Sequence, residues 1–404
     1  MKIVSVDVIQ LKSGNAGASR GEWRPVILRV NTDEGISGFG EVGLAYGKGW
    51  RGGFGMVCDF AETIIGANPL NIEAIWNNIF RNTFWGMGGG TVVSAAMSGI
   101  DIALWDILGK SLNVPVYQLL GGKTNDRLRV YASQLQYGWG ENISGVALRT
   151  PEEYAEVTKL AINDGYDAIK VDPIAIASEN CHSWNRRGWL THEVLSQVYD
   201  RVSAMRDIGG DDFDIIIELH ANTDVTTAVQ LGQKLKDLNI MYMEEPVHPL
   251  NPMLMQKIKD KVDVPLAAGE RIYTRFGYRP YFENRTLDVI QPDICLCGGI
   301  SEAKKICDMA LAYEVNVQIH VCGSPISKAA ALQVEAAIPN FIIHEHHQRA
   351  LNPTSRASCI YDYQPVDGVY EIPDRPGIGQ EPTEDAIEQS YIQKITDVCA
   401  YRMS

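Results

Sequence analysis

Three glutamates, Glu218, Glu244 and Glu270, stand at equal intervals of 26 residues. Each closes a short apolar run: Ile215-Ile216-Ile217, Ile240-Met241-Tyr242-Met243 and Leu266-Ala267-Ala268-Gly269. A strand followed by a helix has about this length, so the spacing predicts three consecutive β/α units with a carboxylate at the end of each strand. In a (β/α)8 barrel the C-terminal strand ends converge on one face, where the active site sits. Three carboxylates delivered there repel one another unless a cation neutralises them. An all-oxygen donor set of this kind suits Mg2+.

Other polar groups gather at the same predicted strand ends. They are Lys170-Val171-Asp172, Glu218-Leu219-His220, Glu244-Glu245 before Pro246, Asp293, His320, and Glu345 flanked by His344, His346 and His347. Side chains alternate along a strand with period two. Lys170 and Asp172 are therefore expected on one face, as are Glu218 and His220. Glu244 and Glu245 are expected to diverge, one into the site and one into the barrel wall. Asp293 and His320 belong to neighbouring strands. A carboxylate beside an imidazole fixes its tautomer and raises its pKa, which makes a usable general base. The α-proton of a carboxylate is too weakly acidic for a histidine to remove unaided. Metal charge and hydrogen bonds to the developing enediolate close that gap.

The elements that must position these groups read as follows. Eight candidate strands, Leu128–Ser133, Ala168–Asp172, Ile215–His220, Ile240–Glu245, Pro265–Glu270, Val289–Asp293, Val315–His320 and Phe341–His346, alternate with amphipathic segments. Eight is the barrel number. Ala228, Leu231, Leu235 and Leu238 share one helical face after Thr223 and Asp224, which could cap it. The predicted fold is α/β, a modified (β/α)8 TIM barrel with an N-terminal α+β capping domain. The cap would span residues 1–125, the barrel 126–365, and a C-terminal segment, 366–404, would pack back on the cap. Two Gly-rich stretches of the cap, Gly14–Gly21 and Tyr46–Gly53, read as loops and candidate lids. Helical segments are expected from residue 58 to about 112.

Composition narrows the function. The chain has 404 residues, a formal charge of −14 and a pI near 5.1. Nucleic acid and anionic membranes are disfavoured as partners, since both need a basic face. The 8 cysteines form no disulfide framework, and Cys295-Leu296-Cys297 is too tightly spaced for a zinc knuckle. Free thiols in a reducing cytoplasm are the default. Met1-Lys2-Ile3-Val4 lacks an apolar signal core and reads as a first strand, and no run looks long enough to span a membrane.

The chain resembles the enolase superfamily, in its mandelate-racemase-like subgroup, over almost its whole length. Ser98-Gly99-Ile100-Asp101-Ile102-Ala103-Leu104-Trp105-Asp106-Ile107-Leu108-Gly109-Lys110 is similar to that family's signature helix, continued by Val114-Pro115-Val116-Tyr117-Gln118-Leu119-Leu120-Gly121-Gly122. Met243-Glu244-Glu245-Pro246 and Ala268-Gly269-Glu270 resemble two metal-ligand motifs. Gln291-Pro292-Asp293 with His320 resembles the His–Asp dyad. The resemblance implies that Glu218, Glu244 and Glu270 bind Mg2+ and that His320 with Asp293 is the base. It implies that Glu345 hydrogen-bonds the enediolate or the substrate carboxylate. It also implies cap loops over the barrel mouth, a homo-oligomer and a cytoplasmic location.

Two departures shape the expected activity. The first metal position, commonly Asp in the family, is Glu218. Where the racemases carry a second lysine, two residues after Lys170, stands Asp172. A two-base racemase is thereby disfavoured, and Lys170 is kept as a cation near the substrate. His220 resembles the histidine with which sugar-acid dehydratases of the subgroup protonate the leaving 3-hydroxyl. The expected reaction is dehydration of an aldonic acid to a 2-keto-3-deoxy acid through an enediolate. Epimerisation and a non-catalytic sugar-acid sensor are the alternatives. A barrel amidohydrolase would want an early His-x-His, which Leu128–Ser133 lacks. Selectivity among sugar acids is expected from the cap loops, Trp85 and the insert Cys181–Trp189.

Overall fold

The protein is described from a computed structural model covering residues 1–12, 23–144, 146–174 and 186–397. Of the stretches singled out above, Gly14–Gly21 and Cys181–Asn185 lie outside these residues.

The cap begins with an antiparallel meander, β1 (Ile3–Gln10), β2 (Val26–Thr32) and β3 (Ser37–Val42). A strand from the chain's other end, Tyr391–Ile395, takes the free edge of β1, pairing Ile395 with Val6 and Tyr391 with Gln10. Three helices follow: α1 (Trp50–Glu62), α2 (Ile72–Asn82) and α3 (Thr91–Leu112). The helical region starts earlier than the sequence suggested, since Trp50–Gly53 forms the first turn of α1. Glycine costs about 1 kcal/mol per helical position. Here the buried face Phe54, Val57, Cys58, Phe60 and Ala61 offsets that cost. A Cβ on Gly53 would also come within 2.9 Å of Val42 Cγ1.

By length and composition α3 could cross a membrane, contrary to the expectation that no run was long enough; 83% of its most apolar window is buried. A helix apolar on nearly all sides belongs in an interior. Helix α3 lies between the cap sheet and the barrel. Its approach to β3 requires glycine. A Cβ on Gly40 would fall 2.0 Å from the Gly99 carbonyl oxygen, and one on Gly38 2.1 Å from that of Ala103. We predict that Gly40→Ala destabilises the protein by about 1–3 kcal/mol or more, read as a lower denaturant midpoint. An unchanged midpoint would contradict the close packing.

A short helix, α4 (Val116–Leu119), leads into the barrel. Its strands are β4 (Arg127–Ser133), β5 (Ala168–Val171), β6 (Asp214–Glu218), β7 (Tyr242–Glu244), β8 (Leu266–Ala268), β9 (Val289–Ile290), β10 (Asn316–Val317) and β11 (His344–His347). Successive strands from β4 to β10 pair in parallel, β11 pairs in parallel with β4, and a parallel bridge from Val317 to Phe341 joins β10 to the eighth strand's segment. All eight candidate strands are present, mostly with shorter ladders. Seven helices connect them: α5 (Pro151–Asn163), α6 (His192–Gly209), α7 (Val225–Leu235), α8 (Pro252–Lys259), α9 (Thr274–Glu283), α10 (Gly299–Ala312) and α11 (Pro325–Ala336). Asp224 caps α7, accepting from Thr227 N at 2.9 Å. Beyond β11 the chain turns back so that Val369–Glu371 lies antiparallel on β4.

Cap and barrel meet along α3 and α10. Trp76 Nε1 donates to Gly298 O at 2.9 Å, Gly298 N to Ser98 Oγ at 2.9 Å, and Ser301 N to Asp101 Oδ1 at 3.0 Å.

Candidate active site

The barrel interior is filled at one level by Tyr131, Ala168, Ile216, Tyr242, Ala267, Val289 and Ile343, a cluster separate from the outer core. Period-two alternation puts the residue two positions on in the next layer toward the C-terminal ends. From Ala168 this is Lys170, from Ile216 Glu218, from Tyr242 Glu244, from Ile343 Glu345, and from Tyr131 Ser133. An apolar plug is thus followed by a charged layer. Lys170 Nζ stands at its centre, 2.8 Å from Glu244 Oε1, 3.0 Å from Glu345 Oε1 and 3.2 Å from Glu218 Oε2. Glu345 also accepts from Ser133 Oγ at 2.7 Å and from Val321 N at 3.0 Å.

The next layer comes from the turns after the strands. Asp293 Oδ2 lies 2.7 Å from His320 Nδ1, and the two residues form a parallel bridge. His320 Nε2 lies 2.9 Å from Glu270 Oε2 and 3.9 Å from Glu345 Oε2. Across the mouth, His220 Nδ1 lies 3.7 Å from Glu218 Oε1 and 3.9 Å from Asp172 Oδ2. All the predicted site residues therefore gather at one end of the barrel.

Two of these placements are made by turns and not by strand alternation. Strand β6 ends at Glu218, and His220 has a left-handed backbone (φ 49°). It reaches Glu218 by a turn, with its own N–H donating to Glu218 Oε1 at 2.7 Å. Glu245 also has positive φ (44°), and its buried carboxylate pairs with Arg271, apart from Glu244, which meets Lys170. Arg271 also holds Glu270, at 2.6 Å.

Charge and burial set the protonation states. Burial alone would lower the pKa of His320, but Glu270, Glu345 and Asp293 outweigh it and hold the imidazole well above its usual value. Burial raises Glu270, yet His320 and His220 bring its carboxyl down to about 2. Lys170 is opposed by burial but is held charged by Glu244, Glu345 and Glu218. Burial and the neighbouring Glu218 push Glu244 well up, Lys170 notwithstanding. His220 is lowered by burial, with Asp172 and Glu270 acting against the shift.

Residues 153–386 match the family described as enolase C-terminal domain-like, and residues 6–121 match the mandelate racemase / muconate lactonizing enzyme N-terminal domain. The chain belongs to the enolase superfamily. It is 32% identical over 376 residues to a D-xylonate dehydratase of Haloferax volcanii, covering 92% of this chain and 87% of that protein. A D-galactonate dehydratase of Variovorax paradoxus is 31% identical, with 90% of each covered. The crystal structure of an enolase-superfamily member from Salmonella Typhimurium superposes with a TM-score of 0.93 at 55% identity, covering 98% of this chain and 99% of that one.

Sequence reasoning missed several parts of this superfamily site. Gln134 places its carboxamide 3.4 Å from His220 Nε2 and accepts from Gln136 Nε2 at 2.7 Å. Gln136 in turn accepts from Asp172 N at 3.2 Å, and Arg186 pairs with Asp172 at 2.6 Å. Neither glutamine carries a spacing signal. Arg271, next to Glu270, was legible as a counter-charge. His344 and His346 turn away from the carboxylate layer, while His347 shares the face of Glu345 and feels its charge. His344 pairs with Glu335 at 2.6 Å, His346 lies 2.5 Å from Tyr166 OH, and His347 accepts from Arg349 N. Trp85 and Trp189 are exposed.

Proposed function

We propose that this chain is a sugar-acid dehydratase, which removes water across C2 and C3 of an aldonic acid to give a 2-keto-3-deoxy acid. One observation carries the reading. Two imidazoles beside the carboxylate cluster, His220 and His320, follow β6 and β10, four places apart in a ring of eight strands. A substrate held over the cluster would have His320 on one side and His220 on the other. The relatives named for D-xylonate and D-galactonate support an aldonic acid as the substrate class.

His320 takes the C2 proton, and Asp293 fixes its ring with Nδ1–H toward the carboxylate. As it stands, Glu270 also holds His320 in its charged form, and a base must be free of that proton. The reading therefore needs Glu270 engaged elsewhere, as it would be if it held a metal ion. The C2–H electrons form the C2–C3 double bond, the C3–O bond breaks, and His220 supplies the proton that leaves with the hydroxyl as water. The enol then tautomerises to the ketone. Glu345 is raised by burial, but Lys170 and His320 prevail and hold it ionised. It is thus suited to accept from a substrate hydroxyl, and less to donate to a carboxylate as the resemblance implied.

The donor set fits Mg2+. Glu218, Glu244 and Glu270 offer only carboxylate oxygens, and Glu244 Oε2 is buried with no hydrogen-bond partner. Among the described residues no three such side chains already face one point. Lys170 stands between Glu218 and Glu244, and Glu270 turns to His320 and Arg271. The fit therefore rests on donor chemistry and on the unpartnered oxygen. A bound ion would draw charge from the substrate's C1 carboxylate and so acidify the C2 proton.

The test is a screen of Mg2+-loaded protein against mono- and di-acid sugars, with 2-keto-3-deoxy products detected by semicarbazide. We expect turnover of at least one aldonic acid. Chelating the metal should lower the rate by about 10³-fold, with Mg2+ restoring it. Full activity after exhaustive chelation would remove the metal from this reading. No product from any acid sugar would remove dehydration.

A further inference from the structure

We propose that Glu41, on the third strand of the cap, is a positioning residue for His320 and Asp293. The proposal rests on the reading of those two as the basic dyad. Glu41 is fully buried. Its carboxylate accepts from Ser324 N at 3.0 Å, from Ser324 Oγ at 2.6 Å and from Ser327 N at 3.1 Å. Ser324 is also the N-cap of α11, accepting from Ile326 N. The fit at this contact is close, since a Cβ on Gly323 would fall 2.6 Å from Glu41 Oε1.

Only Val321, Cys322 and Gly323 separate His320 from Ser324. Val321 is tied to Glu345 by its N–H, and Ser324 is tied to Glu41. The segment carrying the imidazole is thus pinned from inside the barrel at one end and from the cap at the other.

The same cap strand reaches the dyad's other half. Gly43 N, two residues after Glu41, donates to Cys295 O at 2.9 Å. Cys295 N in turn donates to Asp293 Oδ1 at 2.7 Å. A Cβ on Gly43 would fall 2.8 Å from the Cys295 carbonyl oxygen, so the two backbones approach closely. Residues 41–43 therefore brace the turn after β9 and the turn after β10 together. Asp293 and His320 are bridged within the barrel, and the turns that carry them are held a second time from across the domain interface, by the cap. The cap keeps its other ties to the barrel, through Trp76, Ser98 and Asp101, when Glu41 is changed.

A displacement of about 1 Å at reacting groups can cost 10²-fold in rate. In folded, Mg2+-loaded Glu41→Ala we expect kcat to fall about ten- to hundredfold with KM within about threefold. Glu41→Gln keeps one acceptor oxygen and should lie between this variant and the wild type. The second readout needs no substrate. The far-downfield proton resonance of the His320 Nδ1–H···Asp293 bond, assigned by its loss in His320→Asn, should broaden or vanish in Glu41→Ala. If that resonance is unchanged in a folded variant, the positioning role is wrong, whatever the rate. If it vanishes while kcat is unaltered, Glu41 does position the dyad and the basic role of His320 is what fails. Should Glu41→Ala not fold, Ser324→Ala removes only the hydroxyl's bonds, to Glu41 and to Ile326 N, and leaves the carboxylate its backbone donors Ser324 N and Ser327 N. It should lower kcat several-fold and broaden the same resonance, and an unchanged resonance there would also overturn the proposal.

Discussion

Replacing His320 by Asn is expected to abolish dehydration and exchange of the substrate's C2 proton together, with each rate falling by about 10³-fold or more. Asparagine can keep a hydrogen bond to Asp293, so the loss reports the missing base and not a collapsed pocket. Neither Lys170 nor His220 is placed to substitute. Lys170 lies within 3.2 Å of three carboxylates and is held charged by them, so it has no lone pair to offer. His220 approaches from the far side, beside Glu218 and Asp172. The two measurements are keto-deoxy acid formation and loss of the C2–H signal in D2O, with thermal unfolding as the control. Dehydration within tenfold of wild type in the folded variant would sink the assignment of the base. Exchange surviving without dehydration would move His320 to a later step.

The two kinds of site residue differ in how readable they were. Lys170, Glu218, Glu244 and Glu345 each lie two positions beyond a residue of the apolar plug. Period two is enough to place them in one layer, and an apolar run ending in a charge is the visible mark. The dyad was readable for the same reason, since Asp293 and His320 end neighbouring apolar runs and do bridge in parallel. The rule stops where the strand stops. His220 and Glu245 sit in left-handed turns, where a side chain's direction depends on backbone angles that composition does not reveal. That Glu244 and Glu245 diverge was readable, but not that Glu245 would pair with Arg271. The central position of Lys170 was also beyond the pattern. A lysine on one strand offers no sign that carboxylates from three others will share its ammonium. Helix α1 began at Trp50 because burial outweighed the glycines, and helix propensity alone gives the reverse answer.

His220→Asn is expected to split the two half-reactions that His320→Asn removes together. Dehydration should fall by about 10²- to 10³-fold, while C2 exchange in D2O should stay within about threefold. Deprotonation needs only the group on the β10 side, whereas departure of the hydroxyl needs a proton from the β6 side. Without that proton the C3–O bond persists, and the carbanion can only be reprotonated. The surroundings of His220 act in both directions, and the acid role requires it to be protonated before the hydroxyl leaves. Burial lowers its pKa, and Asp172, 3.9 Å from Nδ1 and itself fixed by Arg186, favours the imidazolium when a proton arrives. Among the described residues Nε2 meets Gln134 at 3.4 Å and Nδ1 meets carboxylates at 3.7 and 3.9 Å, so neither nitrogen is closed to a substrate hydroxyl. If both dehydration and exchange are lost in the folded variant, His220 orients the substrate and the leaving hydroxyl has another donor. If dehydration persists, no acid is required on that side. Deuterium returned to C2 with inverted configuration would show that the same site epimerises its substrate once water can no longer leave.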